Sequence, residues 1–261
     1  MGHVVASFAR ALPKVTWDYF TWMLRYGGKH RSKYPLEKRY NTLRKTILYV
    51  NKQFRIIIHE EGKENIPNEV ATFFPNHVSG YDPLIVISCL EKPTTFVAKK
   101  EAQKIIAVKQ CINCIDGLYI DRKDLKQSLR IMMEIQKDLK ERNKNWVIFP
   151  EGTRRKDHLR TIREFHHGTF RSAVKAEVPI VPVAMFGTNK ILKDHPHYKE
   201  YHIFIKFLKP IYPEEYKNMS TQDIAKKVQY MIDQTYTYDL ALKEHAIMSK
   251  EKQYVFNKIN Y

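Results

Sequence analysis

His77 and Asp82 stand five residues apart in the run Asn76-His77-Val78-Ser79-Gly80-Tyr81-Asp82. A neutral imidazole can take a proton from an alcohol near neutral pH, because its ordinary pKa is about 6.5. It needs a second group to fix its tautomer and stabilise the imidazolium, and a carboxylate on the other ring nitrogen does both. Gly80 lets the loop bend so that Asp82 can turn back on His77. A general base held in this way contributes roughly 100- to 10,000-fold in rate. No serine nucleophile is needed when the acceptor brings its own hydroxyl. Two plainer roles stand beside this one: a histidine that only satisfies hydrogen bonds, and an aspartate that only caps a helix.

Two other loops carry groups suited to the same chemistry. Ile120-Asp121-Arg122 and Pro150-Glu151-Gly152-Thr153-Arg154-Arg155 each follow a short apolar run. A guanidinium matches phosphate oxygens bidentately. Glu151 can hold an arginine or bind a substrate hydroxyl, and Gly152 lets backbone N–H groups approach a ligand closely. Singly, Glu151–Arg154 reads equally as a loop salt bridge and Arg122 as a solvated charge. Together the three loops suit an acceptor that has both a hydroxyl and a phosphate. The residues alone leave transferase, phosphatase and nuclease open. A metal-dependent nuclease would want clustered carboxylates near the histidine, whereas Asp82, Asp121 and Glu151 each have another reading. No metal and no cofactor are expected.

These loops need elements to hold them. Residues 70–74 form a short apolar run rich in aromatic and β-branched side chains, which predicts a buried strand. Asp82-Pro83 predicts a helix start, with Asp82 as N-cap and Pro83 at N1. His77 therefore lies on a strand-to-helix turn, and the carboxyl ends of strands are where α/β folds bind ligands. Further strands are predicted at 54–59, 94–98, 115–120, 146–149, 180–186 and 201–207. Pro182 should lie at an edge or a bulge. Helices are predicted at 99–108, 123–142, 168–176 and 220–240. The one over 123–142 is marked by Leu125, Leu129, Met132, Ile135 and Leu139 on one face. The alternation predicts an α/β fold with a mixed, largely parallel sheet flanked by helices.

Residues 1–53 read as a helical appendage to a domain over 54–261. Val4, Phe8, Ala11, Val15, Tyr19 and Met23 fall near one helical face, and Pro13 should break or kink it. Trp17, Tyr19, Phe20 and Trp22 crowd together, followed by Lys29, Arg31, Lys33, Lys38, Arg39, Arg44 and Lys45. The formal net charge is +17, which implies an anionic partner. Aromatics followed by clustered cations suit a helix lying in an anionic membrane interface, although the same helix could pack on the main domain. No aromatic-basic recognition module is present, so nucleic acid is not the expected partner. The sequence has no run of 18 apolar residues, no signal-peptide pattern, and Ala6 where a myristoylation signal needs Ser or Thr. Cys89, Cys111 and Cys114 make no disulfide framework. The single Cys111-Ile112-Asn113-Cys114 pair lacks the second pair of a zinc ribbon, so buried, reduced thiols are expected.

Taken together, four segments resemble the glycerophospholipid acyltransferase family, in particular the lysophosphatidic acid acyltransferases. The run from Asn76 to Asp82 is similar to that family's NHxxxxD block. Gly117-Leu118-Tyr119-Ile120-Asp121-Arg122 resembles its second block, Phe149-Pro150-Glu151-Gly152-Thr153-Arg154 its third, and Val178-Pro179-Ile180-Val181-Pro182-Val183 its fourth. The resemblance implies transfer of an acyl group from acyl-CoA or acyl-acyl carrier protein to the free hydroxyl of lysophosphatidic acid. His77 would be the base and Asp82 its orienting partner, while Arg122, Glu151, Gly152, Thr153 and Arg154 would bind the acceptor. It also implies peripheral attachment to the cytoplasmic face of the cell membrane through the amino-terminal helices. One departure is Phe165-His166-His167-Gly168, where family members often carry lysine at the position of His166. Glycerol 3-phosphate or another lysophospholipid is the alternative acceptor. A non-catalytic basic binding protein is the alternative outside the class.

Overall fold

The structure, a computed structural model, describes residues 2–153, 162–191 and 200–236, together with Lys243 and Ile247. The chain opens with α1 (Gly2–Asp18), a π-helical turn (Tyr19–Met23) and α2 (Leu24–Tyr26). Then α3 (Leu36–Gln53) leads into β1 (Ile56–Glu61). Alternation follows: β2 (Thr72–Pro75), α4 (Asp82–Cys89), β3 (Thr94–Lys99), α5 (Ile106–Cys114), β4 (Leu118–Ile120), α6 (Leu125–Lys140) and β5 (Asn145–Val147). After these come α7 (Arg171–Ala176), β6 (Ile180–Phe186), β7 (Tyr201–Phe207), α8 (Pro213–Tyr216) and α9 (Thr221–Gln234).

The seven strands form one sheet in the order β1-β7-β6-β2-β5-β3-β4. Every pairing is parallel except β6 with β7. The mixed, largely parallel sheet expected from the alternation is thus present. Its consequence for the site is direct. Strands β6, β2, β5, β3 and β4 share one direction, so the loops that follow them emerge along one edge of the sheet. That edge carries His77, Glu151 and Arg122.

Side chains alternate across the sheet and build a core on each face. Phe73 joins Ile85, Phe96 and Val183 on one side. Phe74 stacks on Phe170 at 4.1 Å between ring centroids, among Ile135, Leu139 and Val228 on the other. The amino-terminal helices share the first core. Trp22, Met23, Tyr40, Leu43 and Ile47 are buried in it, and Tyr40 Oη donates to Leu90 O at 2.8 Å. Arg39 ties α3 to the turn after α5 through Cys114 O at 2.6 Å and Asp116 Oδ2 at 2.7 Å. Burial alone pushes Asp116 up. Hydrogen bonds from Arg39 and Arg31 outweigh it and hold the carboxyl below the usual range. Cys89, Cys111 and Cys114 are free, and burial raises all three thiols, Cys111 to about 12.

Several local expectations need correction. The first helix runs on through Pro13, and the irregularity comes later, in the π-helical turn at Tyr19–Met23. A helix can carry a proline by giving up one hydrogen bond when packing holds its two ends, and here Ala11 and Met23 are buried. The helix expected over 99–108 is a 3₁₀ turn at Lys100–Lys104 followed by α5. On α6 the core takes Ile131, Ile135 and Leu139, while Leu125 and Leu129 stay 76% and 57% exposed beside a cavity. Asp82 is the first residue of α4 rather than its cap; Tyr81 is the N-cap.

Pro182 is not at an edge, but it lies opposite a bulge: β6 pairs Val183 with Phe207 and then Ile180 with Ile211, which leaves one extra residue on the neighbouring chain past β7. Its strand β6 lies between β7 and β2, and Pro182 pairs with Phe74 in register. In an extended strand a residue's N and O point the same way. Pro182 O accepts from Leu208 N at 2.9 Å, one residue past the end of β7. The missing N–H therefore faces the chain just past β7, where the extra residue interrupts the ladder before pairing resumes between Ile180 and Ile211, and the bulge accommodates the proline.

Candidate active site

The turn after β2 is held from two sides. Asn76 is buried and exchanges two hydrogen bonds with Met185 of β6: Nδ2 donates to Met185 O at 2.9 Å, and Met185 N donates to Oδ1 at 2.7 Å. The next residue, His77, donates its backbone N–H to Glu151 Oε1 at 2.6 Å. Asp82 is fully buried and turns its carboxylate back over the loop. Oδ2 accepts from Val78 N at 2.7 Å and from Ser79 N at 2.8 Å, and lies 2.8 Å from His77 Nδ1. Oδ1 accepts from Thr188 Oγ1 at 2.5 Å.

This pattern sets the tautomer. A carboxylate accepts, so Nδ1 carries the proton and Nε2 keeps the lone pair. The imidazole also packs on Phe149, 4.2 Å between ring centroids. Its side chain is 12% exposed, so it is sheltered yet reachable. The arrangement can take a proton at Nε2 and spread the resulting charge onto a buried carboxylate.

Glu151 is buried, and both its oxygens meet backbone N–H groups: His77 N, and Arg163 N at 3.2 Å. Burial raises its carboxyl, against the lowering effect of those two bonds. Gly152 has φ +66°, and a Cβ there would stand 2.9 Å from His166 Cδ2. Only glycine suits both the backbone angle and the space.

His77 opens on a cavity of about 2080 Å³, larger than the ~300–1,000 Å³ of ordinary small-molecule sites. His77, Arg122, Glu151, Gly152 and Thr153 all line it, and Asp82 sits behind His77. Arg154 lies outside the described residues. The walls are mostly apolar, with Phe96 and Ala98 from β3, Ile105 and Ile112 from the start and body of α5, and Met23, Leu43 and Ile47 from the amino-terminal helices. Arg171, Lys190 and His166 also line the cavity, and sequence reasoning assigned none of the first two. Arg171 opens α7 and Lys190 follows β6, so only the sheet order brings them to this edge. A second cavity of about 570 Å³, lined by Asn68, Arg142, Glu177 and Tyr212, lies at the amino ends of the strands, away from His77.

A family model described as Acyltransferase matches residues 57–186. The chain is 32% identical over 219 residues to a probable 1-acyl-sn-glycerol-3-phosphate acyltransferase of Mycoplasma pneumoniae, covering 78% of this chain and 80% of that one. It is 28% identical over 165 residues to the 1-acyl-sn-glycerol-3-phosphate acyltransferase of Escherichia coli, covering 63% and 66%. Among solved structures, the 1-acyl-sn-glycerophosphate acyltransferase of Thermotoga maritima superposes with a TM-score of 0.71 at 22% identity, over 90% of this chain and 93% of that one. At that identity the likeness is one of fold.

Proposed function

The chain belongs to the acyltransferase family, and on that premise we propose that it transfers a fatty acyl group from a thioester to the free hydroxyl of 1-acyl-sn-glycerol 3-phosphate, yielding phosphatidic acid. The observation that carries the reading is the His77–Asp82 pair, with Nδ1 and Oδ2 2.8 Å apart, where His77 lines a large, mostly apolar cavity. Nε2 removes the proton of the acceptor hydroxyl as its oxygen attacks the thioester carbonyl. The tetrahedral intermediate collapses, the C–S bond breaks, and the leaving thiolate takes the proton from the imidazolium. Asp82 stabilises that imidazolium throughout. Arg122, Thr153 and Arg171 line the same cavity as His77 and supply donors suited to an acceptor phosphate, and the apolar walls suit the acyl chain. The names of the curated relatives support this acceptor.

The same reading places the protein at the cytoplasmic face of a membrane. No helix among the described residues is long and apolar enough to cross a bilayer. Phe8, Leu12, Trp17 and Phe20 on the amino-terminal helices are 55–70% exposed, which suits insertion into an anionic interface.

The test supplies purified protein in anionic vesicles with an oleoyl thioester, on coenzyme A or on acyl carrier protein. Lysophosphatidic acid, glycerol 3-phosphate and lysophosphatidylcholine serve as acceptors. Phosphatidic acid formed from lysophosphatidic acid, with little product from the other two, is the expected result. Preference for another acceptor would overturn the substrate, and no transfer with any pair would overturn the activity.

A further inference from the structure

We infer that Thr188 is a positioning residue that sets, through Asp82, the basicity of His77; its meaning for catalysis rests on the acyl-transfer reading above. Thr188 follows β6, just beyond Gly187 with its φ of +93°, and is completely buried. Its hydroxyl donates to Asp82 Oδ1 at 2.5 Å. The other carboxylate oxygen is already met by His77 Nδ1, Val78 N and Ser79 N. Thr188 thus reaches the carboxylate from a third element, on the oxygen opposite the imidazole.

The start of the turn is held by bonds that do not involve this hydroxyl. The turn and β6 are already joined by the two Asn76–Met185 bonds, and the turn is tied to the loop after β5 by His77 N and Glu151. What remains for Thr188 is the charge itself. A hydrogen bond to a buried carboxylate is charge-assisted and unscreened by water. With the donor present, part of the negative charge on Asp82 is neutralised from the far side. Without it, the carboxylate attracts the imidazolium more strongly, and His77 keeps its proton to higher pH. A base that is already protonated cannot take the acceptor's proton. Thr188 therefore widens the pH range over which His77 is usable. Among the described residues, the other charged or titratable side chains lining the cavity onto which His77 opens are Glu151 from the loop after β5, Arg122 from the loop after β4, Lys99 and Glu101 at and after the end of β3, Cys111 of α5, Arg171 of α7, His166, Lys190 beyond β6, and Tyr236. Replacing Thr188 removes none of these groups.

The test is an NMR titration of the His77 imidazole in the full chain, its signal assigned by its loss in His77→Gln. Thr188→Val keeps the shape and removes the donor; Thr188→Ser keeps the donor. The Val variant should raise the His77 titration midpoint by about half to one pH unit, a fraction of the roughly one to two units that one charge-assisted bond is worth at the carboxylate itself. The Ser variant should stay within about 0.2 unit of the parent. The acid limb of the kcat/KM profile should move with the midpoint, while KM for the thioester changes less than about twofold. If Thr188→Val does not fold, Thr188→Ala serves in its place. An unmoved midpoint in a folded variant lacking the hydroxyl overturns the inference, whatever its Tm. The titration needs neither donor nor acceptor. A parent protein that transfers no acyl group would therefore sink the functional reading and leave this result to be judged alone.

Discussion

The backbone N–H of His77 meets Oε1 of Glu151 at 2.6 Å, which joins the turn after β2 to the loop after β5. Glu151 spends its other oxygen on Arg163 N, so it acts on the site as a clamp. Glu151→Ala leaves the His77 N–H without its acceptor, a loss of about 1–3 kcal/mol. A chain of this size should show a fall in Tm of about 2–4 °C for each kcal/mol, together with at least a tenfold fall in kcat. Calorimetry and single-turnover kinetics check both. A pH signature accompanies it. Burial raises the Glu151 carboxyl above its ordinary 4.5, so the folded chain holds a proton there after the unfolded chain has lost it. That contribution to stability is present at low pH and falls as pH rises from 4.5 through the raised value. Glu151→Gln should remove this slope from a plot of Tm against pH.

Arg122→Ala should raise KM for lysophosphatidic acid by about 10- to 100-fold, the loss of one charged hydrogen bond to phosphate. KM for the thioester should stay within about twofold. Steady-state kinetics with each substrate varied in turn make the comparison. Equal rises in both constants would remove Arg122 from the acceptor site.

Much of this site is legible in the chain because its chemistry is local. His77 and Asp82 meet across five residues, and the short apolar runs before Arg122 and Glu151 mark them as strand-end loops. What is not legible depends on the order of strands in the sheet. Thr188 lies 106 residues from Asp82 and Met185 lies 109 residues from Asn76; neither pairing leaves a periodicity or spacing to read. Arg171 and Lys190 reach the cavity for the same reason. Pro182 lies beside a bulge, as its missing N–H requires, but a strand's hydrophobic pattern does not say that the extra residue belongs to the neighbouring chain past β7. Leu125 and Leu129 fit the helical period of α6 yet remain exposed, because the first turns of that helix run beside the cavity instead of over the core.

The exposed aromatics of the amino-terminal helices give a separate prediction. The triple variant Phe8→Ser, Trp17→Ser, Phe20→Ser should lose most of its sedimentation with phosphatidylglycerol vesicles, since each side chain contributes about 1.5–3 kcal/mol when buried in an apolar phase. These side chains are 55–70% exposed, so Tm without lipid should change by no more than a degree or two. Undiminished vesicle binding would place the membrane contact elsewhere.

The most direct measurement of the central claim is acyl transfer by the parent protein and by His77→Ala, followed with a labelled acyl thioester and lysophosphatidic acid in anionic vesicles. The account predicts labelled phosphatidic acid from the parent. It predicts a rate lowered at least about 1,000-fold in the variant, with unchanged circular dichroism and an unchanged KM for the thioester. A His77→Ala protein that still formed phosphatidic acid at near the parent rate would contradict it.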